Sequence, residues 1–307
     1  MPDITQQLNR FAAQSPIQFL PDPFPAQVPI RLYLKRDDLL HPLVSGNKWR
    51  KLKYNLLAAE ERGHHTLLTF GGAYSNHLYA TAAAGRAFGF NTIGIVRGDE
   101  FRNTLADEPL NSTLTFCQSC GMRLHFVNRT EYRQKEDPAF LARLTNRFGP
   151  CYVIPEGGTN ELAIRGTAEI MPEIVGQLGY APDYVCCSVG TGGTVMGLAQ
   201  TAPPETTVLG FLSLKATDFQ FFEPVNCQLE TAYHFGGYAK TTPELLDFIR
   251  SFEQQNAGWP DPVLIEQVYT GKMLYGIYDL ARQGYFPDGA TVVAVHTGGL
   301  QGRSGSL

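Results

Sequence analysis

Tyr184-Val185-Cys186-Cys187-Ser188-Val189, followed at once by Gly190-Thr191-Gly192-Gly193-Thr194, is the stretch that decides the fold. The first six residues read as a strand buried on both faces, because a run this apolar leaves no side for solvent. The glycines then turn the chain into a helix running to about Gln200. Glycines let the backbone approach a ligand closely, and amides at a helix start carry partial positive charge. The turn is a candidate phosphate cradle, although a tight strand-to-helix connection without a ligand would look the same. It lacks the Gly-Lys-Ser/Thr ending of a nucleoside triphosphate loop and does not match G-x-G-x-x-G in register.

Working outward, the same strand-then-helix alternation recurs. Strands are expected at 66–70, 91–96, 123–127, 207–211 and 291–295, with helices at 77–88 and 271–282. Such alternation implies an α/β fold with largely parallel sheets covered on both faces. No internal repeat or low-complexity linker interrupts the chain. The Pro- and Gly-rich segments at 17–28 and 155–158 are the candidate crossings between domains. The reading is a larger domain from residues 1–45 and 156–307, with a smaller α/β domain inserted at 46–155. A ligand is expected in the cleft between them.

The 307 residues are 43% hydrophobic and 18% charged, enough for sizeable cores. A net charge of −4 gives no reason to expect nucleic acid or an anionic membrane as partner. No apolar run approaches the roughly eighteen residues of a membrane-spanning helix. The polar start at Met1 to Asn9 lacks a secretory pattern, so a soluble, cytoplasmic protein is expected. Cys117 and Cys120 form a C-x-x-C, but no second ligand pair is visible and no helix opens on the motif. A structural role is expected for both, and no metal.

Three further constellations could carry chemistry. Ser45-Gly46-Asn47-Lys48-Trp49-Arg50-Lys51-Leu52 follows the extended run Tyr33-Leu34-Lys35-Arg36-Asp37-Asp38. Cations at a helix start oppose the macrodipole unless an anion compensates them. A lysine held there could form a Schiff base. Phe70-Gly71-Gly72-Ala73-Tyr74-Ser75-Asn76-His77 places Ser75 and Asn76 at the head of an alanine-rich helix, as a cap or as a carboxylate site. Near the C-terminus, Tyr269-Thr270-Gly271-Lys272 opens a helix and His296-Thr297-Gly298-Gly299 leaves a strand. The C-terminal ends of parallel strands are where such sheets bind ligands.

In this order, the pieces resemble the fold-type II family of pyridoxal-phosphate (PLP) enzymes. The branch is that of 1-aminocyclopropane-1-carboxylate (ACC) deaminase and D-cysteine desulfhydrase. The motifs that carry the resemblance are Lys-Arg-Asp-Asp, Ser-Gly-Asn-Lys-x-Arg-Lys-Leu, Gly-Gly-x-x-Ser-Asn-His, Gly-Thr-Gly-Gly-Thr and His-Thr-Gly-Gly. It spans nearly the whole chain, from about Leu32 to Gly302. It implies a tryptophan-synthase-β-like fold of two three-layer α/β/α domains with mostly parallel, twisted sheets. Lys48 then carries the cofactor as a Schiff base, Lys51 helps neutralise its phosphate, and Gly190, Thr191, Gly192, Gly193 and Thr194 hold that phosphate. Asn76 contacts the cofactor's 3-hydroxyl. Ser75 lies by the substrate carboxylate, with His77 also at the substrate, and Tyr269 and Tyr238 face the substrate. A small amino-acid substrate and a homodimer are also implied.

In ACC deaminases the site tyrosine is typically followed by Glu and the last glycine pair is preceded by Leu. Here those positions look like Thr270 and Thr297, as in the desulfhydrases, and the resemblance implies that both lie beside the cofactor. A carboxylate near the pyridine nitrogen would deepen the electron sink needed to open an unactivated ring, whereas a hydroxyl suffices when thiolate leaves. β-Elimination from D-cysteine or a similar β-substituted amino acid is therefore the expected reaction, with ACC ring opening as the alternative. A non-catalytic PLP-binding protein or amino-acid sensor is a further one, and a nicotinamide-dependent dehydrogenase would rest on the glycine turn alone. Two departures from the branch are Tyr74, where Gln is common, and shortened loops within 205–267.

Overall fold

Side chains of the strand Tyr184–Val189 alternate between two apolar layers. Cys186 packs with Leu32, Leu34, Leu209, Phe211, Val292 and Ala294 on one side. Val185, Cys187 and Val189 join Val208, Val293 and Val295 on the other. With both parities buried the sequence loses its polar alternation, which is why the run reads as continuous.

The computed structural model describes residues 4–10, 14–21, 29–98, 110–215, 226–305 and 307. The candidate crossing at 17–28 and the shortened loops within 205–267 lie partly outside the described residues, at 22–28 and 216–225. In chain order the elements begin with α1 (Ile4–Arg10), β1 (Ile17–Phe19), β2 (Arg31–Lys35), α2 (Asn47–Glu61), β3 (Thr66–Gly72), α3 (Asn76–Phe88) and β4 (Asn91–Arg97). There follow α4 (Ser112–Ser119), β5 (Arg123–Val127), α5 (Arg129–Tyr132), α6 (Pro138–Phe148), β6 (Tyr152–Ile154), α7 (Glu161–Thr167) and α8 (Ile170–Leu178). The remainder comprises β7 (Tyr184–Val189), α9 (Gly193–Thr201), β8 (Thr207–Leu212), β9 (Cys227–Glu230), α10 (Pro243–Asn256), α11 (Thr270–Arg282) and β10 (Thr291–Val295).

These pack as two units: Met1–Ala13 with His41–Gly166, and Gln14–Leu40 with Thr167–Leu307. The sequence reading draws the inserted segment at 46–155; packing extends it at both ends and adds the N-terminal helix. The reason for the latter is α1, whose Ile4 and Leu8, one helical turn apart, are both buried and which packs against α2.

The second unit has a six-stranded sheet in the order β1-β2-β10-β7-β8-β9. All neighbours are parallel except the edge strand β1, antiparallel to β2 with Ile17 opposite Lys35. Helices α10 and α11 supply Leu245, Ile249, Met273 and Ile277 to one face. On the other face, α8 and α9 supply Ile170, Ile174, Val195 and Leu198. The first unit has a parallel four-stranded sheet in the order β5-β4-β3-β6. Tyr132, Phe140 and Leu144 cover one face, while Leu78, Ala82 and Leu114 cover the other. Each unit is thus a three-layer α/β/α sandwich, the fold class that the sequence implies.

Lys35-Arg36-Asp37-Asp38 turns out to be a structural lock. Lys35 is fully buried, and its Nζ meets the Ser15 carbonyl at 2.6 Å and Glu173 at 2.7 Å. Asp37 accepts the Ser15 hydroxyl at 2.6 Å, and the Arg36 guanidinium forks onto Asp38. Together they fasten the end of β2. The C-x-x-C lies at the end of α4, with Cys117 in the helix and Cys120 at its cap. Burial first, then the neighbouring Cys120, pushes the Cys117 thiol up to about 12, which suits a core side chain rather than a reactive thiolate.

Candidate active site

In the first unit the candidate residues gather at the starts of α2 and α3. Lys48 sits in the first turn of α2, half-buried, with its Nζ 2.9 Å from Asn47 Oδ1. Lys51, one turn on, is buried and donates to the Gly157 carbonyl at 3.1 Å and to Thr159 Oγ1 at 3.0 Å. No side chain caps α2 and its first turn is without acid, so two lysines crowd a positive helix end.

Ser75 is the N-cap of α3, its Oγ accepting the Leu78 amide at 3.2 Å. Capping uses an oxygen lone pair and leaves the hydroxyl hydrogen to donate elsewhere. Asn76 is the first helical residue, half-buried, and the first turn again holds no acid. His77 is 2% exposed, so in this geometry it lies beneath the surface that a substrate would touch. Its Nε2 is 2.8 Å from Thr69 Oγ1, and that hydroxyl gives its one hydrogen to the Ile154 carbonyl at 2.8 Å. The ring must therefore donate from Nε2, which leaves Nδ1 as a bare acceptor, and this buried atom has no partner. Burial, then the charges of Lys48 and Lys51, hold the His77 pKa well below its usual value.

In the second unit the 190–194 turn joins β7 to α9 as expected. The helix starts from Gly192 at φ 85°, a left-handed conformation that glycine adopts without strain. Gly192 has no side chain to cap the helix, and the first turn carries no acid. Gly190 is pressed against Tyr269, since a Cβ there would lie 3.3 Å from the phenol ring. The ring of Tyr238 meets that of Tyr269 edge-on, with centroids 6.2 Å apart. Close by in sequence, Ser188 at the end of β7 and Thr297 after β10 bring their hydroxyl oxygens to 3.2 Å.

Thr270, expected beside the cofactor, is fully buried here and turned to a different task. Its hydroxyl donates to Glu266 Oε1 at 3.1 Å while accepting the Glu266 amide at 3.1 Å. Glu266 itself is absent from the sequence-derived candidates. Its carboxylate accepts the amides of Val268 at 2.6 Å, Tyr269 at 2.9 Å and Thr270 at 2.7 Å, closing the start of α11. Burial raises its pKa, and those same hydrogen bonds pull it back. A Glu preceding its helix fits no capping-box spacing, so no local signal marks it.

The donor set suits pyridoxal phosphate. In the second unit the α9 start presents a positive helix end without acid in its first turn, suited to a phosphate dianion, and in the first unit Lys48 offers a half-buried primary amine for an aldehyde. Among the described residues, no cluster of His, Cys, Asp or Glu could hold a metal ion. No helix among them is long and apolar enough to cross a membrane.

Residues 9–212 match the family described as pyridoxal-phosphate dependent enzyme. A Pyrococcus abyssi protein, provisionally named as a 1-aminocyclopropane-1-carboxylate deaminase, is 31% identical over 98% of this chain and 96% of its own length. An Arabidopsis thaliana protein named bifunctional D-cysteine desulfhydrase/1-aminocyclopropane-1-carboxylate deaminase, mitochondrial, is 30% identical over 88% of this chain and 73% of its own. A solved structure described as an ACC deaminase homologue aligns with a TM-score of 0.78 at 26% identity, covering 98% of this chain and 96% of that one. The family match takes in well over half of the sequence, and the protein belongs to the pyridoxal-phosphate dependent enzymes.

Proposed function

We propose that the enzyme is a lyase of the D-cysteine desulfhydrase and ACC deaminase type, acting by β-elimination on D-cysteine or a related β-substituted amino acid. With D-cysteine and one water, the products are pyruvate, ammonia and hydrogen sulfide. The observation that carries the choice is the uncharged Ser188–Thr297 pair, with oxygens 3.2 Å apart at the ends of neighbouring strands. A hydroxyl facing the pyridine nitrogen holds a proton there less well than a carboxylate, which is sufficient when thiolate leaves and poor for opening a ring. The Glu266 carboxylate is engaged through both oxygens by the amides at the start of α11.

When bound, pyridoxal phosphate supplies the sink for the electron pair left on Cα. Lys48 is the base that takes the Cα proton, its Nζ oriented by Asn47. The amides of 190–194 and the Lys51 ammonium bind the phosphate, and Asn76 binds the 3-hydroxyl. Ser75 and the α3 amides bind the substrate carboxylate. Tyr238 and Tyr269 wall the substrate's side-chain end.

A second reading is ring opening of ACC to 2-oxobutyrate and ammonia. It is favoured by the Tyr238–Tyr269 pair, which places two phenols together, and by the names of the relatives. The deciding experiment supplies the PLP-loaded enzyme with D-cysteine, L-cysteine and ACC separately. Sulfide and pyruvate from D-cysteine are expected; 2-oxobutyrate from ACC without sulfide from either cysteine reverses the order. Borohydride reduction followed by peptide mapping should find the reduced cofactor on Lys48, and label elsewhere removes Lys48 from its role.

A further inference from the structure

We infer that Lys272 is a positioning residue that holds Tyr238 against Tyr269, by clamping the strained 234–239 turn onto the first turn of α11. The inference rests on the reading that Tyr238 faces the substrate, but its geometry does not.

Four residues of this turn have positive φ: Phe235 at 53°, Gly236 at 94°, Gly237 at 116° and Ala239 at 54°. Phe235 and Ala239 are the two non-glycine residues in that region among the described residues. Side chains disfavour this conformation, so it persists only where surrounding contacts fix it. Lys272 supplies such contacts. Its Nζ donates to the His234 carbonyl at 2.9 Å and to the Gly237 carbonyl at 2.9 Å, bracketing Phe235 and Gly236 and ending two residues before Ala239. The His234 carbonyl also accepts the Gly237 amide at 3.0 Å, which closes the turn beneath the lysine.

Lys272 is 1% exposed, unusual for a lysine that a surface could have accommodated. Burial holds its ammonium down to about 8, against the opposing pull of the Glu266 carboxylate. A group this costly to bury is retained where its donors are matched, and here they meet two carbonyls of the turn, which also accept the Gly237 and Lys240 amides. Lys272 and Tyr269 both belong to the start of α11. The clamp thereby sets the Tyr238 ring relative to the ring it meets edge-on at 6.2 Å. Tyr238 itself is 43% exposed.

The test uses the PLP-loaded full chain with Lys272→Met, Lys272→Arg, Tyr238→Phe and the Lys272→Met/Tyr238→Phe double variant. The first measurement needs no activity: trypsin cleavage after the exposed Lys240, beside the turn. Lys272→Met should speed it about tenfold through local opening, while Lys272→Arg, which keeps charge and donors, stays near wild type. The cofactor's absorbance band should be unchanged in all variants. In the assay with D-cysteine, KM should rise about fivefold in Lys272→Met with kcat little changed. The double variant should be no worse than Tyr238→Phe alone, because the lysine acts through the tyrosine. Unchanged cleavage after Lys240, or additive losses in the double variant, overturns the proposal. If Lys272→Met does not fold, Lys272→Gln takes its place in every arm. Wild type inactive on all three amino acids removes the substrate reading, and the cleavage arm still decides the clamp.

Discussion

Two helices of the same unit, α9 and α11, begin in opposite ways. At α11 the chain supplies its own anion: the buried Glu266 carboxylate receives three successive amides. At α9 the start is Gly192, with no side chain to cap it and no acid in the first turn. Helix starts carry the same amide dipoles wherever they occur. One has been filled from within, which fixes the placement of Tyr269. The other has no acid in its first turn, the condition under which the proposed phosphate cradle works.

The largest expected effect tests whether the acid-free start serves a cofactor anchored by a lysine. Lys48→Ala should lower D-cysteine turnover by at least about a thousandfold, roughly 4 kcal/mol of transition-state stabilisation, in a steady-state assay. Activity near wild type would remove the need for the cradle's other partner. Next, Gly192→Asp would give α9 a carboxylate of its own and make it resemble α11. PLP affinity, read by absorbance titration, should fall about a hundredfold, near 2.7 kcal/mol, with Gly192→Asn between the two because it caps without charge. Equal affinities for Asp and Asn would show that charge at this start is irrelevant.

The closed start is probed from the opposite side. Glu266→Gln removes the charge while keeping one acceptor, and urea unfolding should show a loss of about 2 kcal/mol. A change within error would mean the three amides are satisfied without the carboxylate. The smallest effect concerns His77, whose pKa is depressed in the folded protein, largely by burial. Below its unfolded value of about 6.5 the unfolded chain binds a proton that the folded chain refuses, so stability is retained above that pH and lost on acidification. The slope from this one group is about 1.4 kcal/mol per pH unit. His77→Gln should flatten the fall in stability between pH 6.5 and 5 by up to that amount, and an unaltered slope would assign the acid sensitivity elsewhere.

Much of the fold was legible because burial on both faces leaves a continuous apolar run with glycine punctuation. The strands Arg123–Val127, Tyr184–Val189 and Thr291–Val295 coincide with those expected from sequence. The three-residue strands β1 and β6 carry too little pattern to be read, and pairing with neighbours alone makes them strands. The C-x-x-C was expected to be structural, and it ends a helix with Cys117 in the core. Thr270 shows the limit most clearly. Its place in the motif suggested a cofactor contact, whereas its hydroxyl is engaged by Glu266, four residues earlier.

What the sequence determined by itself was the class of chemistry, because five short motifs in order carried the resemblance to the pyridoxal-phosphate enzymes, the family to which the chain belongs. Those motifs depend on local backbone freedom and residue type, which a linear string records. Tertiary structure decided which side chains are available for that chemistry and which support it. Glu266, Lys272 and His77 are polar groups whose roles come from being buried beside particular amides, carbonyls and hydroxyls. Burial raises the cost of every unmet polar atom, so partners are selected by three-dimensional proximity, and sequence spacing carries no trace of that selection.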